Sequence, residues 1–300
     1  MSWRAKLGKA GMIAAAVTLA ASQMVQAHGD RDDDDRRHGH DRDRIDPKTW
    51  VYGPRNDDTT GGLIWNPAKL ELIAGGDVVG RTMQSNTLET MNTMYCSLAS
   101  EPGADFTWTE MQHSGIDWGD AWRMWAYASS AACPNRRAIP GVRIAYTDER
   151  EIQHALDGGA MVLVVPTVDT VEEAREVVQW TYFPPFGKRS QGGSQTANVL
   201  RPWIPTGVNY RQTFNNNIVL IVMIETIEGV KNARDIAKVP GIHGVFAASG
   251  DLGNFSGWAE GDPQYERLIT AVGEAALKAG KKLCGPFRWA DRPGFTCFQN

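Results

Sequence analysis

Apolar residues in this chain fall into short unbroken runs, separated by longer stretches where they recur at three- and four-residue spacing. The clearest run, Ile218-Val219-Leu220-Ile221-Val222-Met223-Ile224, has no polar interruption. That is the pattern of a strand buried on both faces, as in a parallel sheet. Residues 226–239 then place Ile227, Val230, Ala233, Ile236 and Ala237 on one helical face, and Pro240-Gly241 stops the helix. Gly244-Val245-Phe246-Ala247-Ala248 makes the next strand. The same reading predicts further strands at 77–83, 105–111, 141–146, 160–165, 282–287 and 294–298. It predicts helices at 66–74, 87–98, 118–132, 149–156, 171–181 and 263–279. Eight strands alternating with helices are the signature of a (β/α)8 barrel of the TIM type. A doubly wound open sheet is the alternative, but no G-x-G-x-x-G follows the first strand. The connection between the last two strands is very short and no helix follows the eighth, so the final barrel helix is expected to be missing. Residues 183–217 lack clear periodicity and are expected to be irregular, at a length that is often functional.

The candidate chemistry sits where two of these strands end. Glu225 directly follows one apolar run, and Ser249-Gly250-Asp251 follows the next. A carboxylate beside a buried strand is costly unless it is paired or coordinates something. Chemistry on a parallel barrel sits at the C-terminal ends of its strands. Two carboxylates converging there suit a hard divalent cation, completed by water and substrate oxygens. Arg143, near the end of the third strand, offers a guanidinium that fits a carboxylate bidentately. Ser249 and Gly250 are small enough to let their backbone N–H groups approach a bound carboxylate.

The N-terminus changes the picture of location. Arg4, Lys6 and Lys9 precede a short apolar stretch at 10–22, and Val25-Gln26-Ala27 puts small residues at a cleavage site. This reads as a secretory signal over 1–27, and the thirteen-residue apolar stretch is too short for a stable membrane anchor. Export to the periplasm or the extracellular space follows. Residues 28–49 are rich in Asp, Arg and His without large apolar residues beyond Ile45, and are expected to be a solvated, disordered linker. The barrel is expected to occupy 50–300. A net charge of −4 argues against nucleic acid as a partner. Four cysteines without metal-ligand spacing allow three disulfide connectivities. Pairing of Cys96 with Cys133, near two helix ends, and of Cys284 with Cys297, on neighbouring strands, is one reading; free buried thiols are the other.

Taken together, Ile224-Glu225-Thr226, Gly244-Val245-Phe246 and Gly250-Asp251-Leu252 resemble the two metal-ligand strand ends of a known family. That family is the metal-dependent 2-keto-acid aldolases typified by 4-hydroxy-2-oxoheptanedioate aldolase, in the superfamily shared with the citrate lyase β-subunit. Gly141-Val142-Arg143 resembles the strand end that carries its substrate arginine, and 183–190 resembles its Y-P-P-x-G-x-R-G loop. Glu110-Met111-Gln112-His113 falls where the aldolases have D-G-E-H. The resemblance implies Glu225 and Asp251 as ligands of Mg²⁺ or Mn²⁺, with Co²⁺ or Zn²⁺ as alternatives. It implies that Arg143 neutralises charge on the keto oxygen, and that His113 takes the proton from the 4-hydroxyl when the C3–C4 bond breaks. The implied substrates are 2-keto acids and aldehydes, and the implied assembly is a homo-oligomer. Met223 stands where these aldolases usually carry glutamine, and Glu110 and Gln112 replace the usual Asp and Glu. The competing functions are a citrate-lyase-like enzyme acting on a CoA thioester and an exported barrel that binds a small keto acid without turning it over.

Overall fold

The computed structural model describes Asp46 and residues 48–53, 62–84, 87, 89–192 and 195–300. The chain divides into two units, Met1–Trp50 and Val51–Asn300. The expected signal over 1–27 and nearly all of the expected linker over 28–49 lie outside the described residues. The second unit contains everything that follows.

Eight parallel strands close into a barrel in sequence order, β1 pairing with both β2 and β8. The strands are β1 Val78–Met83, β2 Phe106–Glu110, β3 Ile139–Arg143, β4 Val162–Val165, β5 Val219–Ile224, β6 Gly244–Ala247, β7 Lys282–Pro286 and β8 Phe295–Gln299. The helices before β5 are α1 Pro67–Ala74, α2 Met91–Ala99, α3 Trp118–Ser129, α4 Glu149–Gly158, α5 Val171–Thr181, α6 Gln195–Leu200 and α7 Tyr210–Asn217. After β5 come α8 Ile227–Ala237, α9 Ser249–Ser256 and α10 Pro263–Lys278. This is the (β/α)8 architecture expected from the run-and-helix pattern. Each of β2 to β6 is buried along its whole length, and β4, β5 and β6 accordingly read as continuous apolar runs rather than as alternation.

Two elements differ from expectation, and the short link between β7 and β8 agrees with it. The stretch 183–217 is not irregular throughout: it holds α6 and α7, too short for periodicity to show. It also packs at the N-terminal end of the barrel, where Tyr182 Oη donates to the carbonyl of Gly241 just ahead of β6. Helix α9 begins directly at the end of β6, and its two turns carry too few apolar residues to announce it. The short link between β7 and β8 is a single 3₁₀ turn, Phe287–Trp289.

Paired residues of neighbouring parallel strands share a face, and this sorts the lumen. Phe106 lies beside Gly80 of β1 and near Gly141 of β3. A Cβ at either glycine would meet the Phe106 ring, at 2.4 Å from Gly80 and 2.7 Å from Gly141, so a large residue on β2 is accommodated by absent side chains on both flanking strands. Above it Trp108 meets Phe246 of β6 across the lumen, ring centroids 5.5 Å apart.

The N-terminal end is plugged by amides. Asn217 Oδ1 accepts from the backbone N–H groups of Trp65 and Asn66, and Asn66 Nδ2 donates to the carbonyls of Met161 and Asn217. Asn66 Oδ1 also caps α1 through the N–H groups of Ala68 and Lys69. One disulfide, Cys96–Cys133, ties the end of α2 to the segment after α3 across a separation of 37 residues. Cys284 and Cys297 are neighbours on β7 and β8 but remain free and buried. Reduction of Cys96–Cys133 is expected to lower stability by about 2–4 kcal/mol through loop-closure entropy, read as a lower urea midpoint with dithiothreitol present. An unchanged midpoint would mean that the reduced segment stays tethered by its packing alone.

Candidate active site

The C-terminal ends of β2, β3, β4, β5 and β6 bring the polar groups together. Arg143 is the last residue of β3, and its Nη2 donates to Glu110 Oε2 at 2.7 Å across the pair Glu110↔Arg143. The same oxygen accepts from Trp108 Nε1 at 3.1 Å. Glu110 Oε1 accepts from the backbone N–H groups of Gln112 at 2.8 Å and His113 at 3.0 Å. One carboxylate therefore holds the guanidinium and folds the loop after β2. Arg143 lies 6.0 Å from the centroid of the Trp108 ring, and its Nε is buried without a hydrogen-bond partner.

Glu225 follows β5 and is 2 % exposed. Its Oε2 accepts from the backbone N–H of Thr167 at 2.5 Å and from Thr167 Oγ1 at 2.6 Å. Thr167, just beyond β4, adopts φ 46°, a left-handed backbone conformation unusual for a β-branched residue. It is over-determined here because its N–H and hydroxyl both meet the same carboxylate oxygen. Glu225 Oε1 has no partner among the described residues. Burial pushes the Glu225 carboxyl above its usual range, and the negative charge of Asp251 pushes it further, while Thr167 and Arg143 oppose the shift. Asp251 sits in the first turn of α9, one strand along, and is half-buried.

Helix α9 opens without a side-chain cap, so its leading N–H groups are available to an anion. Space in front of Gly250 is open: a Cβ there would meet nothing within 4 Å. Ser249 Oγ accepts from Arg288 Nη2 at 3.0 Å, which brings a second guanidinium, from the turn after β7, to this helix start.

The predicted residues therefore divide. Glu225, Asp251 and Arg143 share one electrostatic environment at the barrel mouth, and Ser249 and Gly250 border it. His113 belongs to the neighbouring loop, but its ring is exposed and makes no hydrogen bond among the described residues. Thr167, Glu110 and Trp108 were missed as site residues. Thr167 was findable in principle, since it closes the apolar run of the fourth strand as Glu225 closes the fifth. Arg189 of the 183–190 loop is buried at the other end of the barrel, paired with Asp157 at 2.9 Å and stacked over Phe183 and Phe214.

The profile of the HpcH/HpaI aldolase/citrate lyase family matches residues 88–283. The chain belongs to that family. Membership makes it a carbon–carbon lyase of the aldolase/citrate lyase type. It is 32% identical to the 2-keto-3-deoxy-L-rhamnonate aldolase of Salmonella typhimurium over 222 residues, covering 73% of this chain and 78% of the relative. Among solved structures, it resembles an HpcH/HpaI aldolase/citrate lyase family protein from Burkholderia cenocepacia, with TM-score 0.67 and 25% identity over 78% of this chain and 91% of the other. It also resembles the HpcH/HpaI aldolase of Desulfitobacterium hafniense, with TM-score 0.64 and 25% identity over 77% and 88%. The family match starts in the segment after β1 and ends in β7, so it spans all five strand ends that build the mouth of this lyase.

Whether these residues fit a divalent metal is a question of donor chemistry. Glu225 presents a buried oxygen with no proton donor, beside a second carboxylate that repels it. A cation relieves both costs, and hard oxygen donors suit Mg²⁺ and Mn²⁺. The donor set of this family member fits.

Proposed function

We propose that this lyase is a divalent-metal-dependent aldolase that cleaves or forms 4-hydroxy-2-keto acids by way of a pyruvate enolate. The observation that carries the reading is Glu225 Oε1, a buried carboxylate oxygen without a partner among the described residues, next to Asp251 and within the field of Arg143. Glu225 and Asp251 would hold Mg²⁺ or Mn²⁺. When bound, the cation supplies Lewis-acid stabilisation of charge on a keto oxygen.

The remaining work falls to the chain itself. Glu110 fixes the Arg143 guanidinium, whose unpartnered Nε–H is directed to charge developing on the substrate. The uncapped start of α9, at Ser249 and Gly250, binds the substrate carboxylate through backbone N–H groups. Trp108, Phe246 and Met223 form an apolar floor that keeps water from below and strengthens these interactions. His113, on the loop pinned by Glu110, accepts the 4-hydroxyl proton through a water and returns it in condensation. The aldehyde leaves on the exposed side. The Salmonella relative is named for a 2-keto-3-deoxy acid, and this supports a 2-keto acid substrate. Export also belongs to the proposal: the disulfide Cys96–Cys133 is consistent with an oxidising compartment, and N-terminal sequencing of the secreted chain should begin at His28.

The test is C3-proton exchange of pyruvate in D₂O with added Mn²⁺. Exchange that a chelator abolishes and metal restores supports the aldolase. Metal-dependent pyruvate binding without exchange overturns it in favour of an exported binder. Replacement His113→Ala is expected to lower kcat for aldol cleavage by about 10²-fold while leaving the Kd for Mn²⁺ unchanged. A kcat within twofold of the parent would remove His113 from the mechanism.

A further inference from the structure

A cavity of about 600 Å³ lies at the N-terminal end of the barrel, between α1, the segment after α5, α7 and the residues leading into β6. Its volume is that of a small-molecule site. Ile64, Ile73, Tyr182, Phe183 and Phe186 give it apolar walls, and among the described residues no carboxylate lines it. Lys69 and His243 also line it, and their hydrogen bonds favour an uncharged pair.

His243 Nδ1 accepts from the backbone N–H of Leu220 at 3.1 Å. A backbone amide only donates, so Nδ1 carries the lone pair and the ring hydrogen is on Nε2. That nitrogen is hydrogen-bonded to Lys69 Nζ. With Nε2 as the donor, Nζ has to accept, which an ammonium group cannot do. Lys69 Nζ in turn donates to the carbonyl of Ile218 at 3.3 Å. Neither partner of the amine is anionic. Burial and the positive charge of Lys281 bring the Lys69 pKa down to about 8. Burial, with the positive charge of Lys281, holds His243 well below its ordinary value, so the ring stays neutral. Among the described residues, the Arg211 guanidinium also lines the cavity.

We propose that this cavity is a second binding site, in which the unprotonated amine of Lys69 captures a small apolar carbonyl compound as an imine. The nitrogen lone pair gives up its bond from His243 Nε2–H and forms the new bond to the carbonyl carbon. The C=O bond is replaced by C=N, and the oxygen departs as water with the two amine hydrogens. No oxidant or reductant takes part, and the site is separate from Glu225 and Asp251 at the far end of the strands.

The test uses the full chain with benzaldehyde and cyanoborohydride, which reduces the imine to a stable benzylamine located by peptide mass mapping. At pH 7 a lysine with a pKa of about 8 is unprotonated in roughly a tenth of molecules, against about one in 2,500 for an ordinary lysine. Lys69 is therefore expected to be benzylated at least about tenfold faster than exposed Lys231. Its rate should level off above pH 8 while that of Lys231 still climbs. Lys69→Met should remove the fast site, and Glu225→Gln should leave it intact. Labelling of Lys69 no faster than Lys231, or with an ordinary lysine pH profile, overturns the proposal. Reaction of Lys69 with formaldehyde but not benzaldehyde also overturns it, because the cavity would then not admit an apolar carbonyl compound.

Discussion

Glu225→Gln is expected to lower kcat/KM for aldol cleavage by at least about 10³-fold, roughly 4 kcal/mol of transition-state stabilisation, with the barrel still folded. The fold survives because glutamine keeps an acceptor oxygen for the Thr167 N–H and hydroxyl, the two groups that hold the native carboxylate. What is lost is charge. Only one carboxylate, Asp251, would remain to hold a divalent cation, and an amide NH₂ would occupy the position of the unpartnered oxygen. The variant without metal should be no less stable than the parent, since a buried and repelled negative charge has been removed. Thermal unfolding with and without Mn²⁺ separates these effects: the parent gains Tm with metal by mass action, and the variant does not. The pH sense follows from the same shift. Folding raises the Glu225 pKa, so the metal-free chain loses stability as pH rises from the unfolded value of about 4.3 through the folded one. Metal binding needs the ionised form, so affinity should increase over that same interval. A variant that retains metal-dependent turnover would displace Glu225 from the centre of the mechanism.

Glu110→Gln is expected to cost about 3–5 kcal/mol of folding stability, although the substitution is nearly isosteric. All four groups that meet this carboxylate are donors: the N–H groups of Gln112 and His113 on one oxygen, Trp108 Nε1 and Arg143 Nη2 on the other. Whichever way the amide is turned, its NH₂ faces two of them. The Arg143 guanidinium, 7 % exposed, also loses its counter-charge. A denaturant midpoint lowered at constant m-value, together with weakened substrate binding, is the expected result. A midpoint close to that of the parent would show that Arg143 finds another anion at the mouth.

How far the sequence disclosed these features depends on their periodicity. Strands β4 to β6 are buried on both sides, so unbroken apolar runs identify them, and the carboxylates after β5 and β6 stand out by contrast. Glu110 lies in the same kind of position after β2, but its partnership with Arg143 is a cross-strand register relation between residues 33 positions apart, which no local pattern carries. Thr167 follows the apolar run of the fourth strand, but its left-handed backbone is not legible, because a threonine gives no sign of a positive φ. The match of Gly80 and Gly141 to Phe106 is likewise invisible until the strands are laid side by side. Helices α6, α7 and α9 have eight residues or fewer, about two turns, too little for an apolar stripe to repeat.

The seam between the first and last strands imposes an order on biogenesis. Gly80 and Thr82 of β1 hydrogen-bond with Asn300 directly after β8, at 2.9 Å and 2.7 Å. The partner for β1 is thus synthesised more than two hundred residues later, and until it arrives β1 presents an open edge. Contacts of such sequence separation form slowly, and a partial barrel has nothing to close upon. Until residues 295–300 have emerged from the ribosome the circle stays open, and the first strand waits on the last for its second neighbour.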